Sequence, residues 1–195
     1  MGFANKISLS RILAIPFFVA SLIYYAQNPE YRQLKWLVLF IFLFAMITDL
    51  VDGIIARIKR ERTSLGKVLD PLADKLLLLN AFIWIYTLRN SLPLKYELPL
   101  WVVLIIISRD LIILLGIVVL FFLKIEVPIT PNIWGKLTTL FQMATILSIL
   151  LELGISKYIW SIACLLTVIS GFLYIKRGII ALNVFDSKTN SLRDT

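Results

Sequence analysis

The chain carries the segments D-L-V-D-G-I-I-A-R at residues 49–57 and G-K-V-L-D-P-L-A-D at residues 66–74, with eight residues between them. In helical backbone, Asp49 and Asp52 would be three residues apart on one face. Asp70 and Asp74 would likewise be four residues apart on one face of a second helix. If the two helices are neighbours, four carboxylates converge.

The sequence around these segments is more apolar than that of a soluble domain. Of its 195 residues, 59% are hydrophobic and 16% are charged, whereas soluble domains are about 45–50% apolar. The pattern predicts an all-α polytopic membrane bundle of six transmembrane helices, and residues 1–10 are a candidate short N-terminal interfacial helix. The predicted spans are Ile12–Ala26, Trp36–Asp52, Pro71–Leu88, Pro99–Leu123, Trp134–Leu151 and Tyr158–Ile175.

The charges suggest how this bundle is oriented. Lysine and arginine are concentrated on the side that would hold both termini and the Arg57–Lys67 loop, so the positive-inside rule predicts that this side is cytoplasmic. The net charge of +8 does not form a patch suited to nucleic acid, and it favours anionic lipid headgroups and phosphates as partners. We expect one membrane domain, residues 1–185, and a disordered polar tail, residues 186–195.

The four acids need positive charge beside them, because each costs about 2.5–3.5 kcal/mol at the centre of a span. Arg57, Lys67 and Lys75 are too few and too peripheral to neutralise the set. Carboxylate ligands without histidine favour Mg²⁺ or Mn²⁺, and two such ions suit phosphoryl transfer, with a free carboxylate as proton acceptor. A cation transporter, which also uses buried acids, is the alternative from another class.

The two segments together resemble the signature of the CDP-alcohol phosphotransferase family, D-x2-D-G-x2-A-R-x8-G-x3-D-x3-D, and every fixed position is met. The resemblance implies that Asp49, Asp52 and Asp70 hold two metal ions per active site, with Asp74 completing the site and acting as general base. It also implies a homodimer. The residues implied for CDP binding are Asp49, Asp52, Gly53, Ala56, Arg57 and Gly66.

Other segments narrow the acceptor. Asn5–Arg11 with Pro16, Gly135-Lys136 and Ser170-Gly171 resemble the bacterial phosphatidylglycerophosphate synthases of this family. That resemblance implies an inner-membrane enzyme that transfers a phosphatidyl group from CDP-diacylglycerol to glycerol 3-phosphate. Ser108-Arg109-Asp110 departs from the Arg-Glu more common in those synthases and is also similar to CDP-diacylglycerol-dependent cardiolipin synthases, which are the alternative.

Two cations are candidates for binding the acceptor phosphate. Arg109 stands within an apolar run and must face the protein interior or water; its guanidinium could clamp a phosphate or form a structural ion pair with an intramembrane acid. Lys136, at the predicted start of the fifth span, is the natural second cation. Its alternative is a lysine whose stem lies along apolar surface while its ammonium reaches the interface.

Overall fold

The computed structural model describes the backbone of residues 3–59, 66–122 and 133–193, and the side chains of residues 13–48, 75–116, 118–119 and 133–180. Over these ranges the chain forms six α-helices and no strand, which confirms the predicted all-α class. The helices are α1 Phe3–Gln27, α2 Gln33–Lys59, α3 Gly66–Thr87, α4 Leu100–Phe122, α5 Ile133–Leu150 and α6 Ser156–Arg193.

The helices pack around one apolar core. Helix α1 contacts both α2 and α3, while α4 lies between α3 and α6, and α5 packs along α6. Phe18 of α1 and Phe42 of α2 are fully buried, with ring centroids 5.6 Å apart. Phe82 of α3, Ile106 of α4 and Ile146 of α5 complete the centre of this core. The packing brings α3, α4 and α6 together.

The outer surface of the bundle is apolar and part of its interior is polar. Phe17 of α1 is 67% exposed and Phe172 of α6 is 71% exposed, and α2, α4 and α5 also present large apolar side chains outward. In contrast, Asp110, Thr138 and Gln142 are fully buried. Monomeric soluble proteins rarely expose such extensive apolar surface.

Six membrane spans are not confirmed. Among the described residues, Ile133–Leu150 and Ser156–Ile180 are long and apolar enough to cross a membrane. The apolar parts of the first three helices are shorter, at Leu13–Gln27, Gln33–Thr48 and Lys75–Thr87. These bounds coincide with the limits of the described side chains, which begin at residue 13, end at residue 48 and resume at residue 75.

The two chain ends differ from the prediction. Helix α1 is continuous from Phe3 to Gln27, so no separate interfacial helix precedes it in the described residues. Helix α6 continues to Arg193, so residues 186–193 have helical backbone where a disordered tail was expected. The sequence offers a reason, since residues 179–193 contain neither glycine nor proline to stop the helix.

At the end opposite the aspartates, a tight turn joins α5 to α6. The Leu153 amide donates to the Ser148 carbonyl at 2.9 Å and the Glu152 amide to the Ile149 carbonyl at 3.0 Å, which is a Schellman motif. Glu152 takes the left-handed position with φ 55°, and its carboxylate pairs with Lys35 Nζ at 2.7 Å. The ion pair links this turn to the start of α2.

Candidate active site

The backbone places all four aspartates on helices near one end of the molecule. Asp49 and Asp52 lie in the second half of α2, and Asp70 and Asp74 lie near the start of α3. The two helices are separated by only six residues, 60–65, and both pack against α1. The predicted helical spacing within each pair is therefore confirmed, whereas the aspartate side chains lie outside the described residues and their convergence stays a prediction.

The other residues predicted for CDP binding also lie on α2 and α3. Gly53, Ala56 and Arg57 lie on the last turns of α2, and Gly66 is the first residue of α3. They therefore lie at the helix ends that flank residues 60–65. Their side chains, like those of the aspartates, lie outside the described residues, and their role stays a prediction.

The donor set fits a hard divalent cation. Four carboxylates on two helices that are consecutive in the sequence supply only oxygen ligands, and the chain has no histidine. Mg²⁺ and Mn²⁺ prefer this type of ligand. Among the side chains that the structure describes, no other group of three or more candidate metal ligands occurs. The aspartates are therefore the candidate ligands for such a cation.

A buried ionic cluster lies directly after Asp74. Lys75 Nζ is 2.9 Å from Asp110 Oδ1, and Arg109 Nη1 donates to the same oxygen at 2.6 Å. Arg109 Nη2 donates to Ser170 Oγ at 2.6 Å. Lys75 belongs to α3, Arg109 and Asp110 to α4, and Ser170 to α6. The cluster thus ties together three helices beneath the aspartate segments.

Two glycines lie beside the Arg109 side chain of this cluster. A Cβ at Gly171 of α6 would lie 3.2 Å from Arg109 Cγ, closer than ordinary carbon–carbon contact. A Cβ at Gly135 of α5 would lie 3.8 Å from both Arg109 Nη2 and Ser170 Oγ. Helix α6 therefore approaches Arg109 closely at Gly171, whereas a Cβ at Gly135 would make only ordinary van der Waals contact.

The two predicted acceptor cations lie on α4 and α5, in different surroundings. Arg109 is 7% exposed and bound to Asp110 and Ser170. Lys136 follows Gly135 and is exposed on the first turns of α5. The ion pair considered as the alternative for Arg109 is therefore present, with Asp110 as the acid. Phosphate binding by either residue stays a prediction.

Comparison with known proteins decides the family. The family model for CDP-alcohol phosphatidyltransferase matches residues 1–170. The chain belongs to the CDP-alcohol phosphatidyltransferase family. This confirms the predicted resemblance and the prediction of a transferase, and it removes the cation transporter as an alternative.

Individual relatives cover most of the chain. The chain is 33% identical over 183 residues to a Mycobacterium tuberculosis protein named "Probable phosphatidylglycerophosphate synthase", covering 90% of this chain and 81% of the relative. It is 34% identical to the Aquifex aeolicus CDP-diacylglycerol–glycerol-3-phosphate 3-phosphatidyltransferase, covering 76% and 75%. The Bacillus subtilis protein of the same name is 32% identical, covering 89% and 93%.

Sequence analysis of this family member missed the partnership between Lys75 and Asp110. Lys75 was considered as a counter-charge for the four aspartates, but in the structure it binds Asp110 of α4. An available signal was the adjacent pair Arg109-Asp110 inside an apolar helix, because an acid at such depth requires a cation. The identity of a partner 35 residues away depends on tertiary packing.

Helix α5 carries a further buried polar side chain, Gln142. Gln142 is fully buried, and neither its Nε2 nor its Oε1 has a hydrogen-bond partner among the described residues. Arg109 Nε and Asp110 Oδ2 are likewise without partners there. Thr138, one turn before Gln142, is satisfied by the carbonyls of Trp134 and Leu166 at 2.8 and 3.1 Å. Unsatisfied polar atoms are uncommon in protein interiors.

Proposed function

We propose that this protein transfers a phosphatidyl group from CDP-diacylglycerol to glycerol 3-phosphate. A hydroxyl of glycerol 3-phosphate attacks the phosphorus that bears diacylglycerol, and the bond to the CMP phosphate breaks. The hydroxyl proton leaves with the general base, CMP departs, and phosphatidylglycerophosphate stays in the bilayer. The observation that carries this proposal is the complete aspartate signature in a chain whose relatives bear the name of this activity.

The aspartates supply the reaction centre in this proposal. Asp49, Asp52, Asp70 and Asp74 hold two Mg²⁺ or Mn²⁺ ions, which when bound neutralise the diphosphate of the donor. Asp74 accepts the proton of the attacking hydroxyl. Gly53, Ala56, Arg57 and Gly66 shape the CDP site, where the small residues allow a nucleotide to approach the backbone.

Lys75 is already paired with Asp110, which supports metal ions rather than lysine as the counter-charge of the four aspartates. Its ammonium is bound to Asp110 at 2.9 Å. A single ammonium that already serves one carboxylate cannot also neutralise four more. The four aspartates therefore need cations from outside the chain, which agrees with a two-ion site.

The acceptor phosphate is assigned to the cations at the start of α5 and the middle of α4. Lys136 is exposed and can meet a dianion directly, since an ammonium offers three donors. Arg109 adds positive charge beside Gly135 while its two terminal nitrogens serve Asp110 and Ser170. Lys136 therefore makes the direct contact. Arg109 contributes its charge and its Nε, which has no hydrogen-bond partner among the described residues.

The proposed setting is a bacterial inner membrane. The apolar outer surface of the bundle supports insertion in lipid with six spans, and the lysine and arginine distribution supports cytoplasmic termini. A homodimer follows from the family resemblance. With this orientation the aspartates lie on the cytoplasmic side, where glycerol 3-phosphate and CMP are soluble.

An acceptor panel tests the proposal against the cardiolipin alternative, which Ser108-Arg109-Asp110 favours. Purified protein is incubated with CDP-diacylglycerol and Mg²⁺, and with glycerol 3-phosphate, phosphatidylglycerol, inositol phosphate or serine in parallel. Lipid products are separated by chromatography. We expect only glycerol 3-phosphate to yield product. Formation of cardiolipin from phosphatidylglycerol, with no phosphatidylglycerophosphate, would overturn the acceptor assignment and leave the aspartate chemistry intact.

A further inference from the structure

The buried pair Lys75–Asp110 does more than neutralise a charge. We infer that Lys75 and Asp110 are positioning residues, whose ion pair sets the rotation and depth of α3 and thereby the placement of Asp70 and Asp74. This inference rests on the roles proposed above for those two aspartates. It concerns the residues that hold the metal-bearing helix, which the aspartate signature does not include.

The first step is the link along α3. Lys75 directly follows Asp74, and successive residues of an α-helix point about 100° apart at 3.6 residues per turn. The Lys75 side chain is only 13% exposed, and its ammonium lies 2.9 Å from Asp110 Oδ1. Fixing the direction of Lys75 on a rigid helix therefore fixes the direction of the Asp74 Cα–Cβ bond.

The second step is that Asp110 is itself held firmly. Its side chain is fully buried, and Arg109 Nη1 donates to the same oxygen at 2.6 Å. The guanidinium in turn donates to Ser170 Oγ at 2.6 Å and packs its aliphatic part against Gly171. Charge-assisted bonds of this kind are shorter and stronger than neutral ones. Helix α3 is thus connected through Asp110 to α4 and α6.

The third step is the charge of the cluster. Lys75 and Arg109 share one carboxylate, so the three side chains together carry one net positive charge in a buried position. A buried pair with a purely structural role is normally neutral, because an excess buried charge is costly. This excess positive charge includes Lys75, which lies directly after Asp74 at the end of α3 that carries Asp70 and Asp74.

The main test compares Lys75→Met with Lys75→Arg in purified full-length protein in detergent. Mn²⁺ binding is measured from the free-ion signal in electron paramagnetic resonance, without substrate, and kcat and KM are measured at saturating Mn²⁺. Because small displacements of catalytic groups cost up to about a hundredfold in rate, we expect Lys75→Met to lower kcat by at least about tenfold. The dissociation constant for Mn²⁺ should rise by about tenfold, as when partners of metal ligands are removed.

The other expectations separate positioning from substrate contact. KM for CDP-diacylglycerol and for glycerol 3-phosphate should stay within about threefold of wild type in Lys75→Met, because the change acts after binding. Lys75→Arg, which keeps the charge and can reach Asp110, should restore kcat and Mn²⁺ affinity to within about threefold. A large rise in either KM with unchanged Mn²⁺ affinity would mean that Lys75 contacts substrate, and would overturn the inference.

A matched control and a milder variant complete the design. Lys35→Met removes another lysine–carboxylate pair, to Glu152 at 2.7 Å, at the other end of the bundle, and should leave kcat and Mn²⁺ affinity unchanged. Ser170→Ala removes only the hydrogen bond that holds Arg109 to α6. It should lower kcat and Mn²⁺ affinity by about threefold each. Ser170→Ala replaces Lys75→Met as the test variant if Lys75→Met does not fold.

The outcomes distinguish this inference from the proposed function. The inference is overturned if folded Lys75→Met has wild-type Mn²⁺ affinity and kcat, even if wild-type protein makes phosphatidylglycerophosphate. If Lys75→Met does not fold, the same result in folded Ser170→Ala overturns it. If wild-type protein makes no such product, the acceptor assignment fails. The Mn²⁺ comparison then still decides whether Lys75 and Asp110 position the aspartates.

Discussion

Replacing Gly171 by alanine tests whether Arg109 is held in the position that the structure gives it. The added Cβ would lie 3.2 Å from Arg109 Cγ and 3.9 Å from Arg109 Cβ. The first distance is a few tenths of an ångström shorter than the about 3.5–4.0 Å of favourable carbon contact. Arg109 cannot easily retreat, because Asp110 and Ser170 hold its two terminal nitrogens at 2.6 Å.

The magnitude follows from two opposing effects. Overpacking a well-filled interior costs about 1–3 kcal/mol, while glycine to alanine within a helix contributes about 0.5–1 kcal/mol of stability. Gly171→Ala should therefore lower the free energy of unfolding by about 0–2.5 kcal/mol. Gly178→Ala is the matched control on the same helix, because a Cβ there meets nothing within 4 Å. It should raise the free energy of unfolding by about 0.5–1 kcal/mol.

The assay is thermal unfolding of both variants in one detergent, followed by circular dichroism. At about 2–4 °C per kcal/mol for a chain of this size, Gly171→Ala should melt at least about 2 °C below Gly178→Ala. The displaced guanidinium should also raise the KM for glycerol 3-phosphate in Gly171→Ala but not in the control. Equal or higher melting of Gly171→Ala, with an unchanged KM, would refute the reasoning.

Three further predictions concern the reaction. Excess EDTA should abolish CMP release and added Mg²⁺ or Mn²⁺ should restore it, because the four-carboxylate site needs its cations; full activity in EDTA would contradict a two-ion site. Asp74→Asn should reduce kcat far more than CDP-diacylglycerol binding, whereas Asp52→Asn should weaken both, as binding and turnover assays can show. Lys136→Ala should raise the KM for glycerol 3-phosphate by about tenfold or more, because one charge-assisted hydrogen bond of about 1.5–3 kcal/mol is lost. The KM for CDP-diacylglycerol should change little. A wild-type KM for glycerol 3-phosphate would remove Lys136 from the acceptor site.

The helices were predictable from the sequence because their signal is local. Apolar runs separated by turn residues located all six, and the spacing of the aspartates required helical backbone at residues 49–57 and 66–74, as the structure has it. The family signature was equally local, and the family match over residues 1–170 confirms it. Helix ends were less predictable. Apolar character marks where a helix can meet lipid, but α1 and α6 continue through polar residues.

The contacts around Arg109 could be predicted only in part. An arginine in an apolar run needs a partner, and sequence analysis left a phosphate and an intramembrane acid as the two possibilities. Choosing Asp110 as the acid, and Lys75 as its second cation, depends on how α3, α4 and α6 pack. The conformation of Glu152 could not be predicted from the sequence either, because its left-handed backbone at φ 55° would be expected at a glycine. Its ion pair with Lys35 is a tertiary contact.

The most direct test of the central claim is the stoichiometry of the reaction in purified protein. Phosphorus nuclear magnetic resonance can follow CDP-diacylglycerol, CMP and phosphatidylglycerophosphate together in one Mg²⁺-containing sample. The account predicts that CMP and phosphatidylglycerophosphate appear one to one, only when glycerol 3-phosphate is present, and not in Asp74→Asn. Release of CMP without glycerol 3-phosphate, or no consumption of CDP-diacylglycerol when both substrates are present, would contradict it.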